Sequence, residues 1–174
     1  MIFASEYRAY KEAGFEPRPV TPGTKGPKVK DWNKPDAELP PDIYEKWAAK
    51  YADQGLCLRL GTVLPDGTML AALDIDDDRF VRAAQFMLGN PRCGRFGSRG
   101  MAWFVRIRGE MKKAKIAFDI EASDGSKVHV GELLGKGCAL VIPPTIHPGT
   151  ERPYEWIGEP LLSVGIENLP IIEV

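Results

Sequence analysis

The chain has 174 residues, 44% of them apolar, with 23 basic against 24 acidic side chains. That length suits one domain with a real core, and the near-neutral balance excludes nucleic-acid binding through bulk charge, so any basic surface must come from local clustering. Three scattered cysteines (Cys57, Cys93, Cys138) without a CxxC pair argue against a zinc ribbon and for reduced thiols in a cytosolic protein, and neither a signal peptide nor a run of roughly 18 apolar residues is present to suggest a membrane.

Residues 3–14 read as a short amphipathic helix, with Tyr7, Tyr10 and Ala13 at helical spacing and Gly14 as its stop. Residues 17–41 are rich in Pro, Gly and Lys and read as a long, functional loop. A second helix fits 41–52, then GLCLRLGTV (55–63) and TMLAALDID (68–76) read as strands around a Pro-Asp-Gly turn. Residues 77–88 return to helical periodicity, with Phe80, Ala83, Ala84 and Met87 on one face. A glycine-rich turn then runs into a strand within 94–107, and further strands are expected over 115–123, 128–135 and 139–144. Interleaved strands and helices favour an α/β or α+β fold with a mixed sheet and flanking helices, in one domain over 1–174.

Asp74 and Asp76 are the first residues to suggest chemistry. Alternate residues of a strand share a face, so the two carboxylates point the same way, roughly 7 Å apart along the chain. Like charges so placed repel unless a cation sits between them, and Mg²⁺ takes oxygen ligands of this kind. A solvated strand end is the alternative, with Asp77 or Asp78 capping the following helix. Glu132, in Gly-Glu-Leu-Leu-Gly, reads on its own as the exposed side of a strand. Between Arg92 and Lys115 the only acidic residue is Glu110, against eight basic ones that include Arg95, Arg99, Arg106, Arg108, Lys112 and Lys113. Such a run is either a solvated face or a track for a phosphate backbone. Lys25, Lys28 and Lys30 form a second basic cluster, and Trp32, Trp103 and Tyr154 are either core residues or stacking surfaces for bases.

Taken in order, these pieces resemble the Prim-Pol domain, the N-terminal domain of bifunctional DNA primase/polymerases in the archaeo-eukaryotic primase superfamily, of the phage, prophage and plasmid type. The similarity covers roughly residues 7 to 157. Tyr10, Gly14, Pro19, Lys25, Pro27, Lys28 and Trp32 match the opening pattern, and Gly55 and Gly61 bracket the strand before the first motif. Leu73-Asp74-Ile75-Asp76 matches the first motif. Glu132, followed by Pro143-Pro144-Thr145-Ile146-His147, Gly149, Tyr154 and Trp156, matches the third. The second motif departs: Gly97-Ser98-Arg99-Gly100-Met101 supplies the turn, but the position of the family's triphosphate-binding histidine falls on Ala102.

The resemblance implies a primase catalytic core with an RRM-like half, acting as a template-directed nucleotidyltransferase. It implies Mg²⁺ or Mn²⁺ held by Asp74, Asp76 and Glu132. Nucleoside triphosphates would be bound by Ser98, Arg99, Gly100, Lys28 and His147, with the guanidinium of Arg99 and the turn amides standing in for the missing histidine. Single-stranded DNA template and primer would meet Arg106, Arg108, Lys112 and Lys113, and a helicase domain or protein is the expected companion. Two rivals remain open: a metal-dependent nuclease built on the same carboxylates, and a nucleotide- or DNA-binding module that kept the fold but lost catalysis.

Overall fold

The computed structural model describes residues 1–174. Two sheets and a few short helices make up an α+β fold, as the interleaved periodicities predict. A three-stranded sheet has the order β1 (Pro17–Val20), β2 (Gly55–Arg59), β8 (Ala139–Ile142). A seven-stranded sheet runs β6 (Lys115–Glu121), β7 (Lys127–Leu134), β3 (Met69–Ile75), β5 (Met101–Arg108), β4 (Cys93–Phe96), β9 (Glu155–Gly158), with β10 (Ile171–Glu173) paired to the far end of β5. The β5–β10 pair is parallel and the other pairs are antiparallel, so the sheet is mixed.

Helix α1 (Ile2–Glu12) buries Phe3, Tyr7 and Tyr10 and is closed by Gly14 at φ 87°, a conformation that costs glycine little. Together with α2 (Ile43–Lys50), which buries Tyr44 and Trp47, it packs into the main core. That core also takes Leu56, Leu58, Leu140 and Ile142 from the small sheet and Leu70, Ala72, Phe104 and Leu134 from the large one. The opposite face of the large sheet carries a second core, Ala71, Ile75, Trp103, Val105 and Leu133, under α3 (Asp78–Met87). Strand β3 is buried on both faces, which explains its near-continuous apolar run. Phe80, Ala83, Ala84 and Met87 do share a face, but it lines an open apolar groove, and Met87 stays exposed.

The expectation of a loop over 17–41 is corrected at its start, because Pro17–Val20 is a buried edge strand. Its prolines alternate at 17 and 19, so both missing donors fall on the same edge and the strand can still pair through Arg18. A 3₁₀ turn at Asp36–Glu38 interrupts the remaining loop. That loop is fastened by a buried ionic hub. Glu16 accepts from Arg59 at 2.6 Å and from Arg18 at 3.4 Å, and Arg18 pairs with Asp36 at 2.9 Å. The two guanidinium groups also donate to the carbonyls of Trp32, Asn33 and Lys34 at 2.8–2.9 Å. The C-terminal strands β9 and β10 are further additions; each is too short to show an alternation.

Candidate active site

Along β3, Leu70 and Ala72 face the core between the sheets, and Asp74 continues that face into a cavity lined by both sheets. Cross-strand register places Arg95, Ala102, Asp74, Glu132 and Ala117 in one row across five strands. Asp74 and Asp76 both line a cavity of about 170 Å³, as their spacing predicts, in company with Lys25, Arg95, Ser98, Arg99, His147 and Tyr154. Asp76 lies just beyond β3 and is anchored by its amide, which donates to the Val130 carbonyl at 2.8 Å.

Glu132 is the direct cross-strand neighbour of Asp74. His129, three residues earlier, would face the other side of a regular strand. A bulge prevents this: Phe118 pairs with Gly131 but Asp119 pairs with His129, leaving Val130 as an extra residue. His129 is thereby returned to the carboxylate face, with Nε2 3.4 Å from Asp76 and Nδ1 2.9 Å from Asp119. Its pKa is raised, chiefly by the Asp119 hydrogen bond.

The carboxylates meet three different cations. Arg95 stands 3.6 Å from Asp74, Lys115 stands 3.0 Å from Glu132, and His129, when protonated, serves Asp76. Burial raises the pKa of Asp74, Arg95 opposes this, and the charges of Asp76 and Glu132 raise it further. Hard oxygen donors and an excess of negative charge suit Mg²⁺ or Mn²⁺. In the arrangement seen, however, no three acidic, histidine or cysteine side chains converge closely enough to hold one ion. The donor chemistry fits, and the carboxylates would have to turn from their present partners to converge.

The 97–100 turn is pinned from below. Asp77 caps α3 by accepting from the Arg79 amide at 3.0 Å, and Asp78 accepts from the Gly100 amide at 2.6 Å. Gly100 is therefore corrected as a phosphate donor, because its N–H is already engaged. Its glycine is needed for the turn itself: at φ 63° a Cβ would lie 1.8 Å from the Ile75 carbonyl oxygen. Ser98 and Arg99 are exposed at the cavity rim. Lys28 does not line the cavity; Lys25 of the same loop does.

His147 also lines the cavity, its ring tilted 60° against that of Tyr154 with centres 5.1 Å apart. Its Nδ1 accepts from the amides of Gly149 and Thr150 at 3.1 and 3.2 Å, so the neutral ring carries its proton on Nε2. Burial, then Lys25 and Arg95, lower its pKa from 6.5. The unfolded chain thus takes up this proton more readily than the folded one, and the fold loses stability as pH falls below 6.5. NMR titration should find the ring neutral at pH 7, and wild type should lose stability on acidification more steeply than His147→Gln. Equal slopes would remove this group from the acid response.

The basic run is dispersed. Arg106 is corrected as a nucleic-acid contact: its three guanidinium nitrogens bond Asp66 at 2.8 Å and the carbonyls of Glu167 and Leu169 at 2.7 and 3.2 Å. Arg108 makes an exposed pair with Glu173, which competes weakly with other ligands. Lys112 and Lys113 are exposed on the β5–β6 loop. Trp103 is buried in the second core and cannot stack on a base. The three cysteines are buried free thiols, and burial raises the pKa of Cys93 to about 12.

A known family matches nearly the whole chain. The model described as "Bifunctional DNA primase/polymerase, N-terminal" (Prim-Pol) covers residues 7–171. No curated protein matches the chain.

Proposed function

Because the chain belongs to the Prim-Pol family, we propose that it is a template-directed nucleotidyltransferase in which Asp74, Asp76 and Glu132 are the metal-binding carboxylates. The observation that carries this reading is the single row holding Asp74 beside Glu132, with Asp76 on the same cavity wall. Bound Mg²⁺ or Mn²⁺ would supply a primer 3′-hydroxyl of lowered pKa and charge neutralisation for the departing pyrophosphate. The chain's own residues bind and orient. Ser98 and Arg99 at the rim, with Lys25 and the neutral Nε2–H of His147, form a polyanion-binding wall opposite the carboxylates. The turn that carries Ser98 and Arg99 is pinned by the Gly100–Asp78 hydrogen bond. Template and primer are the proposed partners of Arg108, Lys112 and Lys113, whose contribution would fall with salt. A helicase is the proposed companion activity.

Extension assays on primed and unprimed single-stranded DNA, with Mg²⁺ or Mn²⁺, test the reading. Incorporation that requires nucleoside triphosphates and releases pyrophosphate is expected. Triphosphate-independent strand cleavage would favour a nuclease instead, and binding without either reaction a non-catalytic module. Arg99→Ala should weaken triphosphate binding about tenfold, the scale of one charge-assisted contact. Unchanged affinity, measured by fluorescence titration, would remove Arg99 from the wall.

A further inference from the structure

Arg95 is the least satisfied charged group within the fold. Its side chain is only 11% exposed, yet its one ion pair is a long contact of 3.6 Å to Asp74. Nε is buried with no partner. The guanidinium lies 5.0 Å from the centre of the Tyr154 ring, which supports its face but accepts no strong hydrogen bond. Contrast Arg18, Arg59 and Arg106, whose guanidinium nitrogens are engaged with carboxylates and carbonyls. Buried donors are normally paired, so an under-bonded guanidinium on a cavity wall is a group awaiting an acceptor.

The register explains how it gets there. Arg95 on β4 is opposite Ala102 on β5, and Ala102 is opposite Asp74 on β3. Directly opposed side chains start about 5 Å apart, and a methyl group at 102 leaves the space above it free for an arginine to cross to the next strand. Gly97 is shaped by the same need: a Cβ there would lie 2.7 Å from the Tyr154 ring and 3.3 Å from Arg95. Ala102 and Gly97 together leave a slot, and the Arg95 guanidinium fills it.

We propose that Arg95 is the triphosphate anchor of this site, its guanidinium exchanging Asp74 for phosphate oxygens as the nucleotide enters. This rests on the nucleotidyltransferase reading. The planar fork can take two phosphate oxygens at once, whereas Asp74 engages it through one long contact. The exchange also frees Asp74 from its guanidinium partner at the moment the substrate arrives. Arg95 thus couples substrate entry to the state of the carboxylate beside it.

Binding of ATP, dATP and inorganic tripolyphosphate in EDTA tests this without any metal or turnover. Wild type should bind all three, and Arg95→Ala should bind each about tenfold or more weakly, with Arg95→Lys intermediate because it keeps charge but loses the fork. Asp74→Asn leaves Arg95 without its competitor and should bind about tenfold more tightly than wild type. In Asp74→Asn/Arg95→Ala that gain should vanish. Circular dichroism and thermal melting identify a variant that has not folded, and the Asp74→Asn gain then still reads the exchange, since it needs no change at Arg95. If Asp74→Asn binds no more tightly, or if Arg95→Ala and Arg95→Lys bind like wild type, the anchor role is overturned while the nucleotidyltransferase reading stands. If wild type binds none of the three probes, the anchor role falls, and the nucleotidyltransferase reading is decided separately by the extension assay with metal.

Discussion

Asp74→Ala is expected to lower nucleotide incorporation by roughly three orders of magnitude, equivalent to about 4 kcal/mol of transition-state stabilisation. Asp74 sits at the centre of the five-residue row, between Ala102 and Glu132, and no other carboxylate can reach the same place from β3. The fold should survive the change. Asp74 borders a cavity, its charged form is disfavoured by burial and by two neighbouring carboxylates, and its removal relieves that crowding. Loss of the Arg95 contact works in the opposite direction, so the net change in melting temperature should be small. A primer-extension time course beside a thermal melt separates the two effects. Retained synthesis in a folded Asp74→Ala protein would refute the metal site.

Glu16→Ala should have the largest effect on stability, about 3–5 kcal/mol, because it leaves buried arginines without the carboxylate they share. Arg18 is fully buried and Arg59 nearly so, and neither can turn to solvent for compensation. Arg18 retains Asp36 and Tyr44, whereas Arg59 loses its only carboxylate partner. A loss of that size is a large share of the roughly 5–15 kcal/mol that domains possess. Urea unfolding should show a lower midpoint at unchanged slope. Glu16→Gln, which keeps an acceptor but not the charge, should fall between. A midpoint within error of wild type in both variants would mean that the hub contributes nothing net.

How much of this could be read in the sequence depends on how local the cause is. Asp74 and Asp76 are visible because two-residue periodicity is a property of the strand alone. Strands β2, β3, β5, β6, β7 and β8 are legible as short apolar and β-branched runs bounded by turn residues. Glu132 is legible only through the ordered resemblance, since nothing in its own segment separates it from an exposed strand residue. The Pro-rich stretch hid β1, because proline normally breaks a ladder and only the edge position with alternating spacing excuses it. Arg106 misled because its carbonyl partners belong to a segment sixty residues away. Arg95 reads in the sequence only as one cation in a run. A hairpin turn centred on Ser98 and Arg99 does pair 95 with 102, so the register could have singled it out beside the small residue. His129 offered no such route, because its orientation depends on an irregularity that composition does not announce.

That irregularity gives β7 something like a reading frame in space. Val130 contributes a buried side chain to the second core, a role other apolar residues can fill. Its more demanding contribution is to be counted. Deleting Val130 would restore an unbroken ladder with His129 two residues before Glu132, on the same face as now. Straightening the strand with every residue kept would instead turn Val128 toward Asp76 and His129 toward the apolar face beneath α3. Information at this point of the chain is therefore held in the match between length and bulge: three steps along the sequence count as two in the ladder, and the strand should accept a changed letter, or the loss of the bulged residue, more readily than a residue added without a second bulge.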